Sequence, residues 1–566
     1  MSRRSGFLVA LATAACLLPA GAGQAQPPHH QHYEKGGGYM KPGPTGALAP
    51  RLQNLGTHTF PVTIESEQAQ LFINQGVNLA FGFNHAEAAR AFAEAARLDP
   101  DCAMAYWGHA LVLGPNINAA MEPADEPKAF ELVQKAVSLK PKASPRERDY
   151  IDALAKRYTG KADDRKAADQ AYAEAMRALA KKYTDDLDIA TMFAEALMDL
   201  RPWNYWQRDG VPYPETLEII STLESVLANN PRHPGATHLY IHATEATKNP
   251  ERAEAAADTL LTLMPGAGHM VHMPSHTYMR IGRYAAAVKS NQMAALADED
   301  YIAQCRAQGL YPLGYYPHNV HFIWWAASME GRSQVAIEAA RKTATRVPLE
   351  TLKEMEILQS FFVAQYFALA RFGRWQEILA EPQPAVESPL VTTVWRYIRG
   401  LALVRQKRFA EAEEELAALA PVTRPRVEWP AEITGFAPNP KMAVVRIAPE
   451  ILAGEMAAAS GEFEKAIAHL TRAMLYEDAL VYTEPSDWPY PVRQHLGAVL
   501  LQAGRPDEAE AVYWEDLRRF RDNGWSLFGL LQALRAQGKN ELAAEVEKRF
   551  EKAWANADIE LTASRF

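Results

Sequence analysis

From Glu67 onward, apolar side chains return every three or four positions, and glycine or proline interrupts the pattern at regular intervals. That period is the mark of amphipathic helices. Phe72, Gly76, Leu79, Ala88, Phe92, Ala95 and Pro100 predict two helices packed antiparallel. Small residues stand where the backbones approach, and a proline stands where the second helix stops. The same arrangement returns at Gly282-Arg283-Tyr284 with Ala287, Asn291 and Ala294, and at Gly331-Arg332 with Ala336, Ala340 and Pro348. It continues in plainer form through Phe372-Gly373-Arg374-Trp375, Gly400 with Ala412, Gly454 with Gly461, Gly497 with Gly504, and Gly538 with Ala543. Two insertions break the rhythm, at 114–127 and at 302–316. Both are expected to be functional loops over a site.

One stretch carries a second pattern. Counted from Pro234, Gly268 and Pro317, offsets of one, four and eight give Gly235, His269 and His318; then His238, His272 and His321; then His242, His276 and Trp325. Seven of these nine positions are histidine, in a chain with 16 histidines in all. Offsets of three, four and seven place such residues on one helix face. Pro234 and Pro317 suit the first turn of a helix. Pro274 falls inside the middle segment, where it either kinks the helix or delays its start, leaving His269 and His272 on a loop.

His238 and His242 recur 34 residues on as His272 and His276. Thirty-four residues is the period of the tetratricopeptide repeat. With the helix-pair spacing above, the chain resembles that family, which implies an all-α solenoid of antiparallel helix pairs with loop insertions. The resemblance also implies that the histidine offsets line a concave groove. Most members of the family are adaptors, so it equally implies a peptide-binding scaffold.

Neutral imidazoles at i and i+4 chelate a divalent ion, and a third ring from a neighbouring helix completes the set. His238 and His242 with a member of the middle segment form one such set, and His318 and His321 with His269 or His272 another, with His272 central. Glu245, one turn beyond, is a candidate ligand, hydrogen-bond acceptor or catalytic base. Tyr315, Tyr316, Trp325 and Trp203 are candidate lining residues. His85, at a turn, and His109, facing its partner helix, are expected to pack or cap.

An all-nitrogen sphere without nearby cysteine suits copper or iron, and also zinc. Copper or iron beside these aromatics points to a metal-dependent oxidoreductase; zinc points to a hydrolase. The third reading is an adaptor whose histidines bind a partner or a structural metal. The occupant of the groove is a small molecule or peptide in each case.

Composition places this chemistry. Arg3 and Arg4, an apolar run over 7–18 and Gly23-Gln24-Ala25 resemble a secretory signal, with some likeness to the twin-arginine type, as in an exported bacterial-type protein. A periplasmic or secreted location follows. Net charge of -9 without a basic cluster argues against nucleic acid, and after the signal no run reaches the length of a membrane span. The expected division is 1–25 signal, 26–66 mobile Pro/Gly/His-rich leader including His29, His30 and His32, 67–233 N-terminal repeats, 234–350 histidine repeats and 351–566 C-terminal repeats.

Overall fold

The computed structural model describes residues 42–43, 46–161, 165–305, 311–423, 427–429 and 438–566. The signal, the leader histidines and part of the second insertion lie outside the described residues. Those described form an all-α solenoid of the tetratricopeptide type, with no β-strand among them beyond isolated bridges. Glu67–Phe81 pairs with His85–Leu98, and Ala103–Leu111 with Glu126–Leu139 across the 114–127 insertion. Leu187–Asp199 and Pro214–Asn229 lead into Pro234–Thr244. Tyr316–Met329 pairs with Ser333–Arg346, and the helix pairs continue to Asn540–Ala553. Among the described residues, no helix is long and apolar enough to cross a membrane.

The middle segment resolves the question posed by Pro274. The helix starts early, at Gly268, runs to His272, and restarts as Pro274–Ile281. Met273 between the two keeps helical dihedrals, with φ -53° and ψ -36°. Proline removes a hydrogen bond without moving the histidines off the helical track.

The turn between the helices of a pair uses a left-handed residue. Gly282, Gly331, Gly373, Gly461, Gly504 and Gly538 hold it with φ between 63° and 81°. In the first pair that place belongs to Phe83, with φ 56°. A bulky residue there is strained, and its ring turns inward to the histidines.

The solenoid is not an open trough. Residues 46–66, expected as part of a mobile leader, form a strap across the first helix, with Ala49 and Phe60 buried. The strap makes few backbone bonds of its own. Instead Gln75 and Asn74 accept from the amides of Leu52 and Phe60 at 2.9 Å, and Asn78 donates to His58 O at 3.0 Å. This satisfies buried backbone groups that composition alone leaves unaccounted for. At the other end, the C-terminal repeats fold back on the middle: Trp525 donates to Ser328 O at 2.7 Å and Tyr284 donates to Arg521 O at 2.8 Å. The histidine repeats are thereby enclosed from both sides.

The approach of the N-terminal pair depends on Gly235. A Cβ there meets the Phe81 ring at 2.6 Å. That contact is also why the histidine lattice lacks a histidine at this position. Gly235→Ala is expected to cost about 1–3 kcal/mol by overpacking, read as a lowered urea midpoint at unchanged m-value; an unaltered midpoint overturns the close-packing account.

Candidate metal centre

Two groups of three histidines form, and the second is the first carried along by one repeat. His238, His242 and His269 bring one ring nitrogen each within 4.8 Å of one another, as do His272, His276 and His318. Each takes an i,i+4 pair from one segment and the first lattice position of the next. His318 therefore joins His272 and His276 rather than pairing with His321, and His272 belongs to the second group only. His321 is in neither group. Its ring stacks on Trp324 with centroids 5.1 Å apart and meets Phe361 edge-on at 5.4 Å. It occupies the place of a first ligand in a third group, but Trp325 stands where the i+4 histidine would be. Trp325 in turn packs behind Phe322, away from the rings.

Hydrogen bonds on one side of the rings orient them. Nδ1 of His238 donates to Phe81 O at 2.6 Å, and Nδ1 of His242 to Glu245 Oε1 at 2.8 Å. Nδ1 of His276 donates to Glu245 Oε2 at 2.5 Å, and Nδ1 of His272 to Asn291 Oδ1 at 2.6 Å. The Asn291 amide nitrogen is committed to Ala287 O, which leaves its oxygen for the imidazole. With the proton on Nδ1, the lone pair is on Nε2. Nε2 of His238 and of His242, and both nitrogens of His269, are buried without a hydrogen-bond partner. In the second group, Nε2 of His272 and Nε2 of His276 face each other at 2.7 Å. Two lone pairs at that distance repel unless a cation lies between them. A metal about 2.0–2.1 Å from each nitrogen fits that gap.

Glu245 thus links the groups through its two oxygens. It faces the Nδ1 side and acts as an acceptor in this structure. From the C-terminal repeats, Tyr482 donates to Glu245 Oε2 at 3.3 Å, and Glu484 Oε2 lies 3.1 Å from His276 Nδ1. Both carboxylate oxygens of Glu484 are buried without a hydrogen-bond partner. Burial first, and neighbouring imidazoles second, hold His238, His269, His272 and His318 well below the ordinary histidine range. These four rings are neutral at pH 7, the protonation state that ligates metals.

Aromatic side chains form the walls. Phe83 lies 4.4, 5.8 and 5.7 Å from His238, His242 and His269. Phe322 does the same for His272, His276 and His318 at 4.7, 4.8 and 5.0 Å. Trp203, also left-handed at φ 63°, meets His242 edge-on at 5.3 Å, and Tyr315 meets His269 at 4.8 Å. Asn118 of the first insertion ties these two together, accepting from Trp203 at 2.9 Å and donating to Tyr315 at 3.4 Å. Tyr315 ends a π-helical turn, Tyr311–Tyr315, of the kind found at functional sites. Tyr316 points elsewhere and donates to Glu299. His85 contacts Asn116 of the same insertion at 3.4 Å, and His109 is half-buried outside both groups. Cys102 and Cys305 are free thiols.

A further group, His58, Asp188 and His233, has the spacing of a metal site and the wrong chemistry. His233 Nδ1 accepts from Ala236 N as a helix cap, which leaves the proton on Nε2, 3.1 Å from Asp188. It is a partly buried capping network, and His233 could ligate there only as an imidazolate.

No family model and no curated protein sequence matches the chain. Among solved structures, the human IFIT1 dimer with m7Gppp-AAAA overlays at 13% identity and a TM-score of 0.31, covering 80% of this chain and 90% of that one. Yeast Tom70 overlays at 11% identity and 0.27, covering 86% and 93%. The TPR domain of P58(IPK) overlays at 12% identity and 0.20, covering 84% and 99%. Likeness at this level carries no argument about function.

The buried rings make the metal-free chain acid-sensitive. Burial pushes His321 down to about 3, against about 6.5 when unfolded. Its contribution is complete above pH 6.5 and is lost as pH falls, at about 1.4 kcal/mol per unit. Urea midpoints of the metal-free chain are expected to fall steadily from pH 7 to pH 5, and His321→Phe to flatten the slope by one histidine's share. A profile level across that interval contradicts buried neutral rings.

Proposed function

We propose that this chain is a histidine-ligated transition-metal protein in which each triad holds one ion, and that it serves as a metal-dependent oxidoreductase. The observation that carries the reading is the sidedness of the rings. Four Nδ1 groups are spent on fixed acceptors, while Nε2 atoms converge in a buried space without hydrogen-bond partners, or face one another. Leaving such acceptors unmet costs about 1–3 kcal/mol each, and a shared ion offsets that cost. Fixed Nδ1 partners are also what makes an imidazole a well-oriented ligand.

An all-imidazole sphere suits copper or iron. Bound there, such an ion supplies one-electron chemistry. The protein's part is to hold the rings, wall them from water with Phe83 and Phe322, and accept the Nδ1 hydrogen bonds at Glu245. Zinc in the same sphere supports hydrolysis instead, and the spectrum of the native protein separates the two. The reading keeps the periplasmic or secreted location inferred from the leading segment.

Elemental analysis of protein from its native compartment is expected to give two transition-metal ions per chain, coloured if copper or iron and colourless if zinc. His238→Ala and His272→Ala are each expected to remove one ion with helicity retained by circular dichroism. A metal-free protein that also takes up no Cu(II), Fe(II) or Zn(II) on reconstitution overturns the reading. In that event, the scaffold is left as a binder of a peptide or small molecule.

A further inference from the structure

We propose that the two triads form a single centre that takes up its second divalent ion together with a small bridging anion, of the class of hydroxide, azide or reduced dioxygen. The inference rests on the triads being metal ligands and concerns what else must enter with the metal.

Charge is the argument. The donors of both triads are imidazoles, which bring no negative charge of their own. The triads are close neighbours, with His242 and His276 rings 5.7 Å apart and His269 and His272 rings 5.9 Å apart. Two doubly charged ions in that space repel strongly, because a buried site screens little. Among the described residues, the carboxylates beside the rings are Glu245 and Glu484. Glu245 gives both oxygens to Nδ1 groups, on the side of each ring away from Nε2. Glu484 also lies at the Nδ1 side of His276. Neither reaches the converging nitrogens without giving up its place behind the rings. The buried Arg280 guanidinium, close enough to act on both carboxylates, adds positive charge. With that cation, the two carboxylates leave at most a single negative charge, so even one divalent ion is not fully matched and the second arrives without any counter-charge.

Size and access define the anion. His242 and His269 are 3% and 2% exposed, and His272 is fully buried, so a bulky or hydrated counter-ion is excluded. His318, Tyr315 and Trp203 are partly exposed and form the open edge. What remains is an anion of one to three atoms that can ligate both ions at once.

The test is a titration of the metal-free full chain with Cu(II) at fixed pH, with and without millimolar azide. Azide is expected to leave the first equivalent unchanged and to tighten the second by about tenfold or more, which is about 1.4 kcal/mol. The paramagnetic resonance signal of the first equivalent is expected to fade as the second enters, because a shared ligand couples the two spins. His272→Ala/His276→Ala, which retains the other triad, is expected to bind one ion indifferently to azide. A second equivalent whose affinity ignores azide, or whose signal simply adds to the first, overturns the inference while leaving two metal sites standing. Uptake of no copper at all overturns the triads as ligands, and the inference with them.

Discussion

The centre depends on what lies behind the imidazoles. A histidine ring can turn about its own bonds, and only a fixed partner for the far nitrogen makes its direction definite. Here Phe81 O, the Glu245 carboxylate and Asn291 Oδ1 supply those partners. They come from the first helix, the end of the His238 helix and the helix after the kink, so the aim of the rings is a property of the packed superhelix. Loss of any one element lets the rings turn even if every histidine remains.

Repetition explains why, among the described residues, there are two all-histidine triads and no third. A solenoid copies the same helix-to-helix geometry along its length, so a ligand set spanning two repeats is reproduced wherever the same offsets carry histidine. The translation continues from His238, His242 and His269 to His272, His276 and His318. It ends at His321, where Trp325 takes the next place. The buried His321 is what remains of the pattern without the chemistry.

The fold class and the histidine segments were legible in the chain, because helical period and a 34-residue repeat are local properties. The grouping of His318 was not, since the offsets permit several partners for each ring and only the stagger of adjacent helices selects one. Asn291 and Glu484 carried no signal of their own, and Phe83 little. A phenylalanine at a turn, an asparagine at a small-residue position and a glutamate before a proline are unremarkable until the chain folds back. Phe83 had one trace: it stands where later turns carry glycine, and that exchange of an easy backbone for a strained one was open to inspection. Closure from both ends was hidden for a different reason. Repeat spacing describes neighbours and says nothing of which distant surfaces meet.

The enclosure has a consequence for how the protein comes into being. The rings take their bearings from residue 81 and are backed by residues 482 and 484, about four hundred positions later. A growing chain that has already made every histidine of the cluster still lacks the carboxylate and phenol that close it. Closure of the centre thus waits until Tyr482 and Glu484 have been made and folded back onto Glu245 and His276.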